Sequence, residues 1–235
     1  MRPLPVLLLA LAAAACAPAA PGPTPEAAVC RLPDRLPAPH LERVDPEEVV
    51  ADRPIRFHLL AISWMPETCR AGGDGAGDLA CRDNRFGWTL HGLWPNSNGR
   101  PYPRYCRPAG AVPAPVIRAN LCRTPSVDLV QHEWAAHGVC GWETPEAYFQ
   151  RSAALYDGVQ RPDPTGLATA GALRDAFARA NPGLPREAVQ VSVSDEGRLR
   201  EARICLDLAF QPRPCPRDAR GARDDRRIAV EPVRP

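Results

Sequence analysis

The sequence contains no lysine, carries almost no net charge and has no two cysteines separated by two residues. All 29 basic residues are arginine, which together with 29 prolines indicates a compositional bias of the source rather than a function. Arginine is nonetheless a good bidentate ligand for phosphate. The net charge of +2 does not by itself indicate a nucleic-acid-binding protein. The absence of C-x-x-C pairs argues against a structural zinc site.

A long hydrophobic run is also missing near the N-terminus. The apolar stretch at residues 6–15 spans about ten residues, whereas a bilayer takes about twenty. Preceded by Arg2, it predicts a signal peptide over residues 1–15. Cleavage there releases a secreted protein, or else Cys16 is the lipidated first residue of a lipoprotein anchored in the periplasm or at the outer membrane. An even number of cysteines remains without Cys16, which favours lipidation, although Ala13 stands where leucine is usual.

The remaining chain is long enough for one domain with its own core. Residues 16–48 comprise Cys16 and an Ala/Pro-rich tether and N-terminal segment, and we expect the domain over residues 49–235. The eight cysteines beyond Cys16 indicate an oxidising compartment and up to four disulfides, in any of 105 pairings.

Hydrophobic patterns predict an α+β fold, because strands and helices do not alternate regularly. A buried strand is expected at 57–64 and a second at 86–90, with His91 where that strand meets a loop, since Gly92 and Pro95 should end it. We expect loops at residues 70–80 and 97–125. The other expected elements are helices at 127–134, 147–159 and 173–180 and strands at 189–193, 198–210 and 228–230.

Three of only five histidines lie in two short segments that also contain tryptophan. The first segment, residues 88–96, reads W-T-L-H-G-L-W-P-N, and the second, residues 132–140, reads H-E-W-A-A-H-G-V-C. This clustering indicates a function for these histidines. For the two isolated histidines, His40 and His58, we expect structural roles.

In the second segment, Glu133 and His137 are four residues apart and share one face of a helix. His132 lies about 140° further round and still reaches the same cleft. The H-E-x-x-H zinc pattern does not fit, because residue 136 is alanine. We therefore expect no metal and no cofactor.

Paired imidazoles suit one reaction in particular. Imidazole accepts and donates protons near neutral pH. RNA is cleaved when one group takes the 2′-OH proton, a second protonates the leaving 5′-oxygen, and a third stabilises the charged phosphorane. DNA lacks the 2′-OH. Two histidines with auxiliary polar groups predict metal-independent cleavage of single-stranded RNA.

Both segments resemble the ribonuclease T2 family, whose corresponding motifs are F-T-x-H-G-L-W-P and H-E-W-x-K-H-G-T-C. Residues 57–69 look like the opening strand of that family, and the resemblance covers about residues 55–216. It implies a disulfide-stabilised central antiparallel sheet with flanking helices. It also implies an endoribonuclease that forms 2′,3′-cyclic phosphates and then 3′-phosphates. No sequence feature indicates an obligate protein partner, so we expect a monomer.

The resemblance also implies individual roles. It predicts catalysis by His91, Glu133 and His137, phosphate binding by His132, and base stacking by Trp94 and Tyr102. It further implies the disulfides Cys69–Cys81, Cys106–Cys140 and Cys205–Cys215, and leaves Cys30 with Cys122.

Two positions depart from the family pattern. Ala136 stands where the family has a lysine that would offset the phosphorane charge. Losing that charge would lower the cleavage rate by about two orders of magnitude unless an arginine from another segment substitutes. Asn96 stands where many members carry aspartate, which bears on base preference. Ala136 keeps open an alternative, a catalytically weakened RNA- or partner-binding domain on the same scaffold.

Overall fold

The computed structural model of the protein describes residues 30–72, 77–219 and 221–234. The predicted signal peptide, Cys16 and the Ala/Pro-rich tether through residue 28 lie outside these residues. Among the helices that are described, none is long and apolar enough to cross a membrane.

A four-stranded antiparallel sheet forms the centre of the described chain. Its strands are β1 (Phe57–Trp64), β2 (Trp88–Asn96), β3 (Val189–Val193) and β4 (Leu199–Leu206), in the spatial order β2-β1-β4-β3. Strand β1 is central and almost entirely buried, as expected for a strand covered on both faces. The α+β fold with a central antiparallel sheet is confirmed.

Six α-helices occur in the part of the chain that the structure describes. They are α1 (Met65–Ala71), α2 (Asp78–Cys81), α3 (Ala114–Asn120), α4 (Val127–Ala136), α5 (Pro145–Asp157) and α6 (Ala170–Ala180). Helices α4, α5 and α6 each begin after a Ser or Thr whose hydroxyl accepts a backbone N–H three residues later. Such caps stabilise a helix start by about 1 kcal/mol.

The two faces of the sheet have different neighbours, because side chains alternate along a strand. On one face, Leu60 and Ile62 of β1 pack with Tyr148, Leu173 and Phe177 of α5 and α6 in the main core. The other face carries residues 57, 59, 61 and 63 of β1, and β4 contributes residues 201, 203 and 205 opposite them. This second face is where polar side chains collect.

Strand β2 corrects one prediction. It does not end at residue 90 but continues through His91 and Pro95 to Asn96. Proline is tolerated there because β2 is an edge strand of the sheet, where a missing N–H need not break a ladder. His91 therefore lies inside a strand, not at its junction with a loop.

Other element boundaries also differ from prediction. The 97–125 region contains α3, and the ends of the predicted 70–80 loop belong to α1 and α2, with residues 73–76 outside the described chain. Strand β4 stops at Leu206 because the Asp207 carboxylate accepts the backbone N–H groups of Ala209 and Gln211 in a tight turn. The predicted 228–230 strand is reduced to a bridge between Ala229 and Arg198.

Four disulfides occur among the described residues, and they are the pairs that the family resemblance implies. They are Cys30–Cys122, Cys69–Cys81, Cys106–Cys140 and Cys205–Cys215. The first ties an irregular N-terminal segment, residues 30–50, to the chain that follows α3. The Arg118 guanidinium donates to the carbonyls of Pro33 and Asp34 and holds the same segment.

We predict that the disulfides contribute unequally to stability. Cys30–Cys122 spans 92 residues and Cys69–Cys81 spans 12. Closing the longer loop removes more entropy from the unfolded chain, so replacing both cysteines by serine should cost about 4–5 kcal/mol for the first pair and about 3 kcal/mol for the second. Chemical denaturation of the two double variants measures both costs, and a larger cost for the Cys69–Cys81 variant would contradict the entropic account.

Candidate active site

A β-bulge in β2 sets the position of His91. Gly92 pairs with Ala61 and Leu90 pairs with Ile62, so His91 is an extra residue without a partner in β1. The outer backbone groups of Leu90 are bonded to the chain before α4, at Arg123 and Thr124. A bulge redirects the side chain it carries. Here it lets two consecutive residues, His91 and Gly92, share the polar face of the sheet with Trp94.

Glu133 of α4 lies against this bulge. Its side chain is buried, one carboxylate oxygen accepts the Trp94 indole N–H at 2.8 Å, and the other lies 3.3 Å from His91 Nε2. The Tyr148 hydroxyl lies 3.4 Å from the first oxygen. A Cβ on Gly92 would stand 1.7 Å from that oxygen, so only glycine lets the carboxylate approach β2 this closely.

His137 is the residue that ends α4. It is only 6% exposed, and its ring stacks on Trp94 at 5.3 Å and on Tyr102 at 6.4 Å between centroids. The His91 ring meets the same Trp94 edge-on at 5.0 Å. The two histidines of the separate sequence motifs therefore contact one indole. His137 Nδ1 is buried and has no hydrogen-bond partner among the described residues.

His132 lies 6.3 Å from His137 between ring centroids and is half-buried. Its Nδ1 is paired with the carboxylate of Glu42, which belongs to the N-terminal segment and also accepts the Tyr105 hydroxyl at 2.9 Å. Sequence reasoning missed Glu42, because that segment has no periodic pattern to indicate what it contacts. Disulfide Cys30–Cys122 fixes the same segment beside α4.

Glu201 and Arg203 of β4 are further site residues that the sequence did not reveal. Glu201 is buried, and its carboxylate lies 2.5 Å from His91 Nδ1 and accepts the Ser63 hydroxyl at 3.1 Å. Arg203 binds the other Glu201 oxygen at 2.6 Å and lies over the Trp94 ring at 4.8 Å. One signal was present: two charges on one face of a strand expected to be buried require partners.

The His91 and His137 imidazoles have opposite electrostatic environments. Burial works against a charged His91, but Glu201 and Glu133 outweigh it and raise the pKa of His91 to about 9. Burial lowers the pKa of His137 well below its usual range, and repulsion from His132, His91 and Arg104 adds to the effect. At neutral pH, His91 is charged and His137 is neutral.

The carboxylates beside His91 are also perturbed. Burial raises the pKa of Glu133. Burial would do the same to Glu201, but the neighbouring His91 and Arg203 hold the pKa of that carboxyl far below its usual range. At neutral pH, Glu201 is therefore ionised and His91 is charged.

Residue 136 contributes no charge to this cluster. Ala136 is fully buried beside Tyr105, whose backbone N–H donates to the Ala136 carbonyl at 2.9 Å. Cations approach from elsewhere: Arg203 lies over Trp94, and Arg104 lies over the Tyr105 ring at 4.7 Å. Both arginines belong to segments remote from α4 in sequence.

His132, Glu133 and His137 bring one potential metal-ligand atom each to within 4.8 Å of one another. Tetrahedral zinc with bonds of 2.0–2.1 Å needs donors about 3.4 Å apart. One Glu133 oxygen already accepts the Trp94 N–H, and the second lies beside His91. These residues fit a metal poorly, and we assign none to them as ligands.

The remaining two histidines lie outside the cluster. His58 is buried against Phe210 and Trp142, at 4.7 and 5.7 Å between ring centroids. His40 is exposed, and its backbone N–H donates to Asp128. Neither ring contacts Trp94 or Glu133 in the described structure.

Comparison with known proteins places this cluster in context. Residues 55–171, about half of the chain, match the Ribonuclease T2 family. A probable ribonuclease of Haemophilus influenzae is 33% identical over 126 residues, covering 48% of this chain and 46% of its own. A ribonuclease of Aeromonas hydrophila is 33% identical over 114 residues, covering 47% and 48%. The chain thus spans about half the length of the curated relatives it matches.

The fold is also similar to solved structures. Trichomaglin, described as a novel S-like ribonuclease, superposes with a TM-score of 0.61 at 18% identity, over 77% of this chain and 100% of its own. At such low identity, the similarity establishes the fold and nothing finer.

We predict that Gly92→Ala disrupts the cluster. The added methyl would overlap Glu133 and crowd the Trp94 indole nitrogen, 2.9 Å from the new Cβ. Overpacking of this kind costs about 1–3 kcal/mol, and the near-UV circular dichroism spectrum, to which Trp94 contributes, should change with it. Gly110→Ala is the matched control, because nothing lies within 4 Å of its Cβ. Equal stability of the two variants would show that Gly92 is not needed for close approach.

Proposed function

The chain belongs to the ribonuclease T2 family, and we propose that it is an endoribonuclease that cleaves single-stranded RNA without a metal. One observation carries the proposal. His91 and His137, from two separate sequence motifs, contact the same Trp94 indole, and Glu133 binds that indole and lies beside His91. Paired imidazoles with a buried carboxylate are what in-line transfer at a phosphodiester requires.

The different environments of the two imidazoles support an assignment of acid and base. His137 is buried among aromatic rings and is neutral, so it accepts the proton of the 2′-OH as that oxygen attacks phosphorus. His91 lies between Glu133 and Glu201 and is charged, so it donates its proton to the departing 5′-oxygen. The 2′-oxygen–phosphorus bond forms while the 5′-oxygen–phosphorus bond breaks, leaving a 2′,3′-cyclic phosphate. Water then opens the cyclic phosphate to a 3′-phosphate with the two roles reversed.

The other residues stabilise charge and hold the substrate. In this proposal, Glu133 steadies the imidazolium of His91 through the 3.3 Å contact, and His132 binds a phosphate oxygen. Arg203, over Trp94, and Arg104, over Tyr105, offset the phosphorane charge that the family's lysine would otherwise offset.

Trp94 and Tyr102 provide aromatic surfaces for an RNA base. In the present structure the His137 ring already stacks on both, which leaves His137 buried. RNA therefore reaches the imidazole only when one of these side chains moves. Tyr102 is half-buried and lies between β2 and α3 outside any helix or strand, and we propose that it moves.

The proposed setting is outside the cytoplasm. Four disulfides in one domain fit an oxidising compartment. The N-terminal apolar run and Cys16 support export, with periplasmic or outer-membrane anchoring through a lipid on Cys16. We propose a monomer that acts on RNA without an obligate protein partner.

Cleavage tests the proposal directly. The oxidised protein should cut single-stranded RNA in EDTA and leave 2′,3′-cyclic ends. His91→Ala and His137→Ala should each lower kcat/KM by about 10²–10⁴-fold, because each removes one partner of the proton transfer. His40→Ala is the matched control, since that histidine is exposed and outside the cluster. RNA binding without cleavage by the intact protein would favour a binding domain instead.

The pH dependence should follow the two shifted histidines. Activity needs neutral His137 and charged His91, so kcat/KM should rise through the lowered pKa of His137 and fall as pH passes the His91 pKa of about 9. The plateau between these limits should include pH 7. Steady-state kinetics on a dinucleotide substrate measure the profile. A narrow optimum with both limbs near pH 6.5 would contradict the assignment.

A further inference from the structure

We propose that Glu201 is a positioning residue for His91, which holds the imidazole by its Nδ1–H so that Nε2 faces Glu133 and the cleft. Arg203 and Ser63 hold the Glu201 carboxylate in turn. The importance of this pairing for RNA cleavage rests on the proposed function, but the pairing itself does not. In a neutral imidazole, the hydrogen bond made by one ring nitrogen determines which of the two nitrogens carries the proton. Holding the proton on Nδ1 therefore leaves Nε2 as the nitrogen that gains and loses a proton.

The side chains of His91 and Glu201 meet across an intervening strand of the sheet. His91 lies on β2 and Glu201 on β4, and β1 runs between them. Adjacent strands are about 4.8 Å apart, so the two side chains bridge about 10 Å. They meet above β1 at Ala61 and Ser63, the residues that pair with Arg203 and Glu201 in the register. Small side chains at these two positions leave room for the 2.5 Å contact.

Both Glu201 oxygens are occupied in this arrangement. One lies beside His91 Nδ1 and accepts the Ser63 hydroxyl at 3.1 Å, while the other accepts two Arg203 nitrogens at 2.6 and 2.7 Å. Arg203 is held over Trp94, so its position is set by the cluster as well. A buried carboxylate restrained on both oxygens fixes the orientation of its third partner, the His91 ring.

The charged groups around His91 act in opposite directions. Glu201 of β4 and Glu133 of α4 favour the charged imidazole, and Arg203 of β4 opposes it. His137, at the end of α4, is neutral at pH 7 but repels His91 when protonated. Removing Glu201 must therefore lower the pKa of His91, whereas removing Arg203 must raise it. A loss of packing alone would not shift the His91 pKa in opposite directions in the two variants.

The matched segments do not contain this pairing. Glu201 and Arg203 lie beyond residues 55–171, the part that matches the family. Glu67 offers a close control within the chain: it is also a buried glutamate between two arginines, Arg70 and Arg198, yet no contact joins it to His91.

The test is the titration of His91 in the full chain, followed by NMR of its imidazole and assigned with His91→Gln. Glu201→Gln keeps the shape and removes the charge. We expect it to lower the His91 pKa by at least about one unit, a tenfold change in protonation. Arg203→Gln should shift the same pKa upwards, and Glu67→Gln should leave it unchanged. The alkaline limb of kcat/KM for RNA cleavage should move with the His91 pKa in each variant.

Three results would overturn the inference: an unchanged His91 pKa in folded Glu201→Gln, a shift of the same sign in Arg203→Gln, or an equal shift in Glu67→Gln. If Glu201→Gln does not fold, Glu201→Asp, which keeps the charge and draws it away from Nδ1, should still lower the His91 pKa by a smaller amount, and an unchanged value would overturn the inference. The NMR titration needs no RNA. A protein that shows the expected shifts but cleaves no RNA would keep the pairing and reject the proposed function.

Discussion

The extra residue in β2, opposite Ala61 and Ile62, puts the His91 imidazole on the same polar face of the sheet as Gly92 and Trp94, and the rest of the cluster is arranged around that ring. Strand alternation from Leu90, which lies in the core, puts His91 on this face, and without the bulge the same alternation would send Gly92 and Trp94 to the core side. With it, His91 reaches Glu201 across β1 and Glu133 on α4. A local irregularity in hydrogen bonding thus decides which chemistry the sheet presents.

Charge is distributed unevenly within this small volume. Carboxylates from two different elements lie beside His91, whereas His137 is packed among aromatic rings and burial keeps it neutral. The two imidazoles therefore have different protonation states at neutral pH: His91 is charged and His137 is neutral. The two buried carboxylates beside His91 come from α4 and β4. The difference in protonation between His91 and His137 therefore depends on the helix and the sheet being held together. The Cys106–Cys140 disulfide, just beyond His137, joins the end of this helix to the segment between β2 and α3.

Sequence patterns predicted the composition of the site better than its geometry. The two histidine segments, Glu133 and Trp94 were identifiable because chemistry-bearing residues were concentrated in short stretches. The α+β class and most element centres followed from hydrophobic periodicity. The bulge was not predictable, because a one-residue register shift has no compositional signature. Gly92 and Pro95 were interpreted as the end of the strand. Instead, Gly92 lets the Glu133 carboxylate approach β2, and Pro95 is tolerated because β2 is an edge strand. Glu201 was missed because its partner is 110 residues away in sequence.

The N-terminal segment has a consequence for where this protein can be divided. The family match begins at residue 55, yet Glu42, the partner of His132, precedes that boundary. A recombinant fragment cut at the boundary would lose this carboxylate and leave Cys122 as an unpaired thiol, free for intermolecular oxidation. The physical unit that contains the cluster therefore begins no later than Cys30, and limits drawn from sequence similarity alone would omit part of it.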